Sequence, residues 1–273
     1  MKLWQIILLI SITGKLLGQK WQLDSFQVDF PVYSMSIAPL ANRYLISDEM
    51  QILKYKPDGQ FWNRYENNRL GYIGLLDVSN PFVVLVFYPQ HQTLVLLDNN
   101  MAETGRINFS SIGLGNIRTA AISDDNNIWV FDEGKRKLVK INNAGRIVQE
   151  GIPYFGFDID AGNPIFLRQR ADYVYLSQAG KPVQVFDIFG KWVRPIDLGN
   201  FEALIYINNV IYYIDDDAIR DYNIETFEIS EGNRWPVDGH TSVTYDPVLN
   251  RFYALSQERK IEYLVPEPQT AGE

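Results

Sequence analysis

Residues Asn126 to Glu150 read NNIWVFDEGKRKLVKINNAGRIVQE. A β-branched and aromatic run ends in Asp132, a short polar turn follows, and a second run alternates apolar with charged residues up to Ile141. Asn143, Ala144 and Gly145 then make a tight turn before a third run. The period is two, with Ile128 and Val130 set against Trp129 and Phe131, whereas a helix would place its apolar residues three and four apart. The stretch therefore reads as three consecutive antiparallel strands.

Working outward, the same phrase recurs. It returns as RYLISDEMQILKYKPDGQFWNRY (Arg43 to Tyr65), as DYVYLSQAGKPVQVFDIFGKWVRPI (Asp172 to Ile196) and, without the turn glycine, as NVIYYIDDDAIRDYNIETFEIS (Asn209 to Ser230). The turn residues Gly59, Asn100, Gly145, Gly190 and Thr226 fall 41, 45, 45 and 36 positions apart. Repeats of about 40 to 50 residues built from strands are the spacing of propeller blades, each a sheet of four antiparallel strands. Six blades fit, at about 31–68, 70–112, 117–154, 155–198, 201–235 and 240–265. The last holds only three runs, TSVTYDP, NRFYALS and KIEYLVP, while WQLDSFQVDF (Trp21 to Phe30) belongs to no blade. The expectation is an all-β, six-bladed β-propeller closed by an N-terminal strand pairing into the last blade.

The copies SDDNNIWVFDEGKRKLVKINNAGRIV and RYLISDEMQILKYKPDGQF resemble the NHL repeat of six-bladed propellers, in which a strand ends in Asp and a polar turn, a second strand and a Gly turn follow. The chain as a whole is similar to divergent propeller proteins exported by Bacteroidetes-type bacteria. The resemblance implies the fold strongly and the function weakly, because propellers host lyases, lactonases, peptidase modules and binding scaffolds alike.

Composition narrows the classes. The 273 residues carry 25 Lys plus Arg against 33 Asp plus Glu, a net charge of −8, and no Cys. Bulk nucleic-acid binding needs a concentrated basic surface and is disfavoured. Disulfides, Cys metal sites and thiol nucleophiles are excluded. Lys2, the apolar run Leu3 to Ile12 and the small-residue exit to Gly18 read as a signal peptide over 1–18, an uncleaved anchor or a buried first helix being the competing readings. A single domain then fills 19–265, with a flexible tail at 266–273. An exported protein of the periplasm, cell envelope or extracellular space is expected, with no transmembrane helix after signal removal.

Chemistry is sought where the loops between second and third strands crowd one end of the central channel. These loops carry Asp48 and Glu49, Asp132 and Glu133, Ser177 and Gln178, Asp215 with Asp216 and Asp217, and Ser256 with Gln257. In blade two, pairing FVVLVFYP with TLVLLD puts Gln90 and His91 there, and the other pairing puts Asp98 there. An acidic mouth results, with Asp48, Asp132, Asp215, Asp217, Gln178, Gln257, His91 and His240 as the candidate binding set. An Asp that ends a strand commonly accepts the next backbone N–H groups and fixes the turn, which is the plainer role for Asp48 and Asp132. The two His residues, His91 and His240, are the whole stock of imidazole bases, and two unrelated loop histidines is the plainer reading. No nucleophile elbow, P-loop or HExxH helix is present. Tyr33, Tyr72, Tyr154, Phe155 and Trp235 lie near blade entrances, where a binding groove would use them.

The expected function is binding: a monomeric, non-catalytic scaffold without a cofactor, presenting its mouth to a protein, peptide or glycan. The competing expectation is a metal-dependent hydrolase or lactonase. It would hold Ca²⁺ through Asp48, Asp132 and Asp215, with His240 and Asp215 as its catalytic residues.

Overall fold

The computed structural model describes residues 21–26, 28–156, 159–160, 165–215, 218–235, 239–256 and 260–266. Strand β1 (Trp21–Phe26) comes first. Blade 1 then comprises β2 (Val32–Ile37), β3 (Arg43–Ser47), β4 (Ile52–Tyr55) and β5 (Phe61–Tyr65). Blade 2 comprises β6 (Leu75–Asn80), β7 (Val83–Tyr88), β8 (Thr93–Leu97) and β9 (Glu103–Asn108). Blade 3 comprises β10 (Ile117–Ile122), β11 (Ile128–Asp132), β12 (Lys137–Ile141) and β13 (Ile147–Glu150). Blade 4 comprises β14 (Phe166–Arg170), β15 (Tyr173–Ser177), β16 (Val183–Asp187) and β17 (Trp192–Ile196). Blade 5 comprises β18 (Phe201–Ile207), β19 (Val210–Asp215), β20 (Ala218–Asn223) and the two-residue β21 (Asn233–Arg234). Blade 6 comprises β22 (His240–Asp246), β23 (Arg251–Ser256) and β24 (Ile261–Pro266), and β1 is its outer strand.

The closure is antiparallel, running from Trp21 opposite Pro266 to Phe26 opposite Ile261. Blade 2 uses the pairing of Val84 with Leu97 through Tyr88 with Thr93, so its second-to-third loop is the short 3₁₀ turn Pro89–His91. Residues 1–20 and 267–273, which hold the expected signal peptide and all but the first residue of the expected tail, lie outside the described residues.

The core is divided into six wedges, one between each pair of neighbouring blades. Alternate residues of a strand face opposite sides of its blade, so each strand feeds two wedges. In β8, Leu94 and Leu96 join the wedge toward blade 3, and Val95 with Leu97 joins the wedge toward blade 1. In β11, Ile128 and Val130 face blade 2 while Trp129 and Phe131 face blade 4. Both sides are buried, which is why these runs are apolar throughout and not amphipathic.

One repeated device sets the turns between third and fourth strands in blades 2, 3 and 4. Asp98 Oδ1 accepts the N–H groups of Asn100 (2.8 Å) and Ala102 (2.9 Å). Asn142 does the same for Ala144 and Arg146, and Asp187 for Phe189 and Lys191. The corresponding turns of blades 4 and 5 lean on the outer strand of the preceding blade: Gln149 Nε2 donates to the Ile188 carbonyl at 2.8 Å, and Arg194 lies 4.5 Å over the Phe227 ring.

The basic run Lys135 to Lys140 reads in the sequence as a solvated edge, and the structure corrects this. Its strand, β12, lies inside the sheet between β11 and β13. There Lys140 is buried, 2.9 Å from Asp125 and 4.7 Å over Trp129, and Lys137 pairs with Glu150.

Candidate functional site

All six inner strands start at one end of the channel, here the leading mouth, and finish at the trailing mouth. At the leading mouth four of them carry one extra residue. The pairing steps from Val32–Ser47 to Ser34–Ile46, leaving Tyr33 unpaired. It skips Arg118 between Ile117–Asp132 and Thr119–Phe131, Glu202 between Phe201–Asp215 and Ala203–Ile214, and Thr241 between His240–Ser256 and Ser242–Leu255. Such bulges bend the strand and re-aim the extra side chain. Tyr33 is 49% exposed, the Glu202 side chain 58%, and Thr241 is exposed as well. Arg118 is more enclosed and pairs with Glu133 at 2.9 Å.

Aromatic surface surrounds these bulges. Phe166 opens β14 in blade 4, three blades from Tyr33 in a ring of six, and both line the channel cavity. Tyr72 and Phe155, in the segments that lead into blades 2 and 4, are 44% and 73% exposed. The Arg136 guanidinium stands 6.0 Å from the Phe155 ring centre. Two other aromatics expected at the entrances are used in packing: Tyr154 stacks on Trp192 at 4.8 Å, and Trp235 is buried beside His240.

The predicted acids occupy the same end without converging. Asp132 is buried, its Oδ1 accepting the Lys135 N–H at 3.0 Å and its Oδ2 lying 3.8 Å from Lys135 Nζ. Asp215 Oδ2 lies 3.6 Å from Arg220 Nε. The strand-end position of blade 1 equivalent to these two is Ser47, opposite Val32 as Asp132 is opposite Ile117. Ser47 Oγ accepts the Gln51 N–H, and Asp48, one residue further on, is exposed. Gln178 is fully buried and clamps Asp160, accepting its N–H and donating to its carbonyl, both at 3.0 Å. It thereby anchors the connection into blade 4. His91 is exposed at the end of its 3₁₀ turn. His240 Nε2 lies 3.7 Å from Glu202. Asp217 and Gln257 lie outside the described residues. Among the described residues no three His, Asp or Glu side chains gather closely enough to hold a metal ion.

The channel interior holds charges that loop-based reading missed. Asp77 in β6 is buried, and its Oδ1 accepts the Ser79 N–H at 2.8 Å while its Oδ2 accepts the Ile122 N–H of blade 3 at 2.8 Å. The same carboxylate meets Arg168 Nη1 of blade 4 at 3.2 Å. One acid thus ties three blades together. The signal lay in LLDVSN and FLRQR, where ionisable residues interrupt two inner strands. Arg170, two residues after Arg168, also lines the cavity, whose volume is about 740 Å³.

No family model and no curated protein matches the chain in sequence. In structure it is similar to a streptogramin B lyase, with TM-score 0.61 and 12% identity over 90% of this chain and 98% of that one. It is similar also to the WD40 domain of Pan2 from Neurospora crassa, with TM-score 0.61 and 9% identity over 91% and 96% of the two chains. BamB from Moraxella catarrhalis aligns with TM-score 0.52 and 12% identity over 90% and 87%. At these identities the likeness is one of fold.

Proposed function

We propose that the protein is a binding propeller of the bacterial cell envelope that receives a peptide segment of a partner protein at its leading mouth. The observation that carries this reading is the set of four bulges at the same end of four inner strands, three of which place Tyr33, Glu202 and Thr241 on the wall of one opening while the fourth carries Arg118. A mixed rim of aromatic, cationic, anionic and hydroxyl groups suits a polypeptide, with Tyr33, Phe155 and Phe166 as anchors that enter apolar pockets of the partner. Export is the expectation raised by the N-terminal segment. Among the described residues, no helix is long and apolar enough to cross a membrane.

A photo-crosslinking residue placed at position 155, in cells producing the full chain, tests the proposal. Position 82 is the control, since Phe82 is equally exposed, at 73%, but sits in the turn after β6 at the trailing mouth. A discrete protein adduct from 155 and none from 82 is expected. Adducts from 82 alone would overturn the proposal, and a glycan adduct from 155 would change the class of partner. Unfolding with millimolar Ca²⁺ separates the metal-dependent reading. A higher midpoint that disappears in Asp215→Ala would place hydrolysis ahead of binding.

A further inference from the structure

The trailing half of the channel holds a charge with no counter-ion among the described residues. Asp77 is saturated by two backbone N–H groups and Arg168, so one acid balances one of two neighbouring guanidinium groups. Arg170, at the end of β14, donates from Nη2 to the Tyr206 carbonyl at 3.4 Å, a marginal bond, and its buried Nε has no hydrogen-bond partner among the described residues. No carboxylate among the described residues lies within ion-pair distance of it; Asp77 and the exposed Asp124 act on it only from further off. Burial, and then the charge of Arg168, push its pKa down to about 10, the direction of a cation held where it is poorly solvated. Leaving a desolvated charge without a partner is unfavourable unless something supplies one. The cavity beside it is large enough for a small organic ion, and hydroxyls of Ser34, Ser36 and Thr244 belong to residues of its wall.

We propose that the channel binds a carboxylate, held by the fork of Arg170 with Arg168 as its second cation. A guanidinium presents paired donors in a plane and matches a carboxylate with two parallel hydrogen bonds. The carboxylate belongs either to a free small acid or to the C-terminus of a peptide entering the trailing mouth. Because the site lies at the opposite end from the bulged rim, it stands or falls separately from the peptide surface there.

The test is thermal unfolding of the full chain in 10 mM succinate, against sodium chloride at equal ionic strength. Succinate is expected to raise the midpoint by roughly 5 to 10 °C when it saturates the site. A tripeptide with a free C-terminus, compared with its amide, is the second arm. A shift with succinate identifies a free acid, and a shift with the free peptide but not succinate identifies a chain terminus. Arg170→Met is expected to unfold at or above the wild-type midpoint without added anion, because it removes an unpaired cation, and to lose the response. If that substitution lowers the anion-free midpoint, Arg170→Lys carries the test: it keeps the charge and loses the fork, so half-saturation is expected to rise at least tenfold. No shift beyond chloride in either arm, a shift produced by inorganic phosphate alone, a response that survives Arg170→Met, or an unchanged half-saturation in Arg170→Lys would each overturn the proposal.

Discussion

Lys54 shows how a charge is kept inside a blade interface. Its ammonium is fully buried in the structure, donating to the Asn99 carbonyl at 2.6 Å and lying 3.9 Å over the Trp62 ring and 5.3 Å from that of Tyr44. Burial pulls its pKa down to about 8, against a smaller upward pull from Asp98. Between that value and the ordinary lysine pKa of 10.5, the unfolded chain holds a proton that the folded one has released. Stability therefore rises with pH across this window. Urea unfolding at pH 7.5 and 9.5 should show wild type gaining about 2 kcal/mol relative to Lys54→Met. Asp77 presents the opposite case, a buried carboxylate with every partner in place. Asp77→Ala strands Arg168 and two backbone N–H groups, and a loss of about 3 kcal/mol in urea unfolding is expected.

Turns between third and fourth strands are repeated, but their surroundings differ. Gly59 and Gly190 both adopt left-handed backbone, with φ of 86° and 75°. A methyl group on Gly59 would meet nothing within 4 Å, whereas on Gly190 it would stand 2.8 Å from the Gly151 Cα of the preceding blade. Gly59→Ala is expected to cost about 1 kcal/mol, for the backbone conformation alone. Gly190→Ala should cost about 2 kcal/mol more, because two backbones must separate. Matched urea titrations of the two variants measure the difference. The fourth strands of blades 1 to 4 share a bulge at their second residue, at Trp62, Thr104, Val148 and Val193. In blade 1 this places Trp62 over Lys54, a role that its position in an outer strand does not suggest.

The ring is uneven as a whole. Every residue of β8 and β11 is buried, while β18 is buried only at Phe201 among its seven residues, and β21 has two residues. Amide exchange is expected to be slowest in blades 2 and 3 and fastest in blade 5, as read by mass spectrometry of proteolytic fragments. Closure by β1 couples the chain ends across blade 6. A chain beginning at Val28 would leave β24 as a bare edge. Its midpoint should fall by more than about 10 °C, with concentration-dependent aggregation visible by light scattering.

Blade number, strand order and the closing strand could be read from the unfolded chain, because a period of two within a run and a near-constant interval between turns are local properties. The acids at strand ends were legible for the same reason, since Asp132 meets the N–H of Lys135, only three residues away. The register of the mouth was not. Asp48 stands beside Ser47 in the sequence, and only the pairing of β2 with β3 shows which of them matches Asp132. The bulges at Tyr33, Arg118, Glu202 and Thr241 arise from an extra residue against the neighbouring strand, a relation absent from either strand alone. Asp77 and Arg168 are separated by 91 positions. Their meeting, and the excess cation at Arg170, depend on six inner strands being brought around one axis, where charges from different blades share one space.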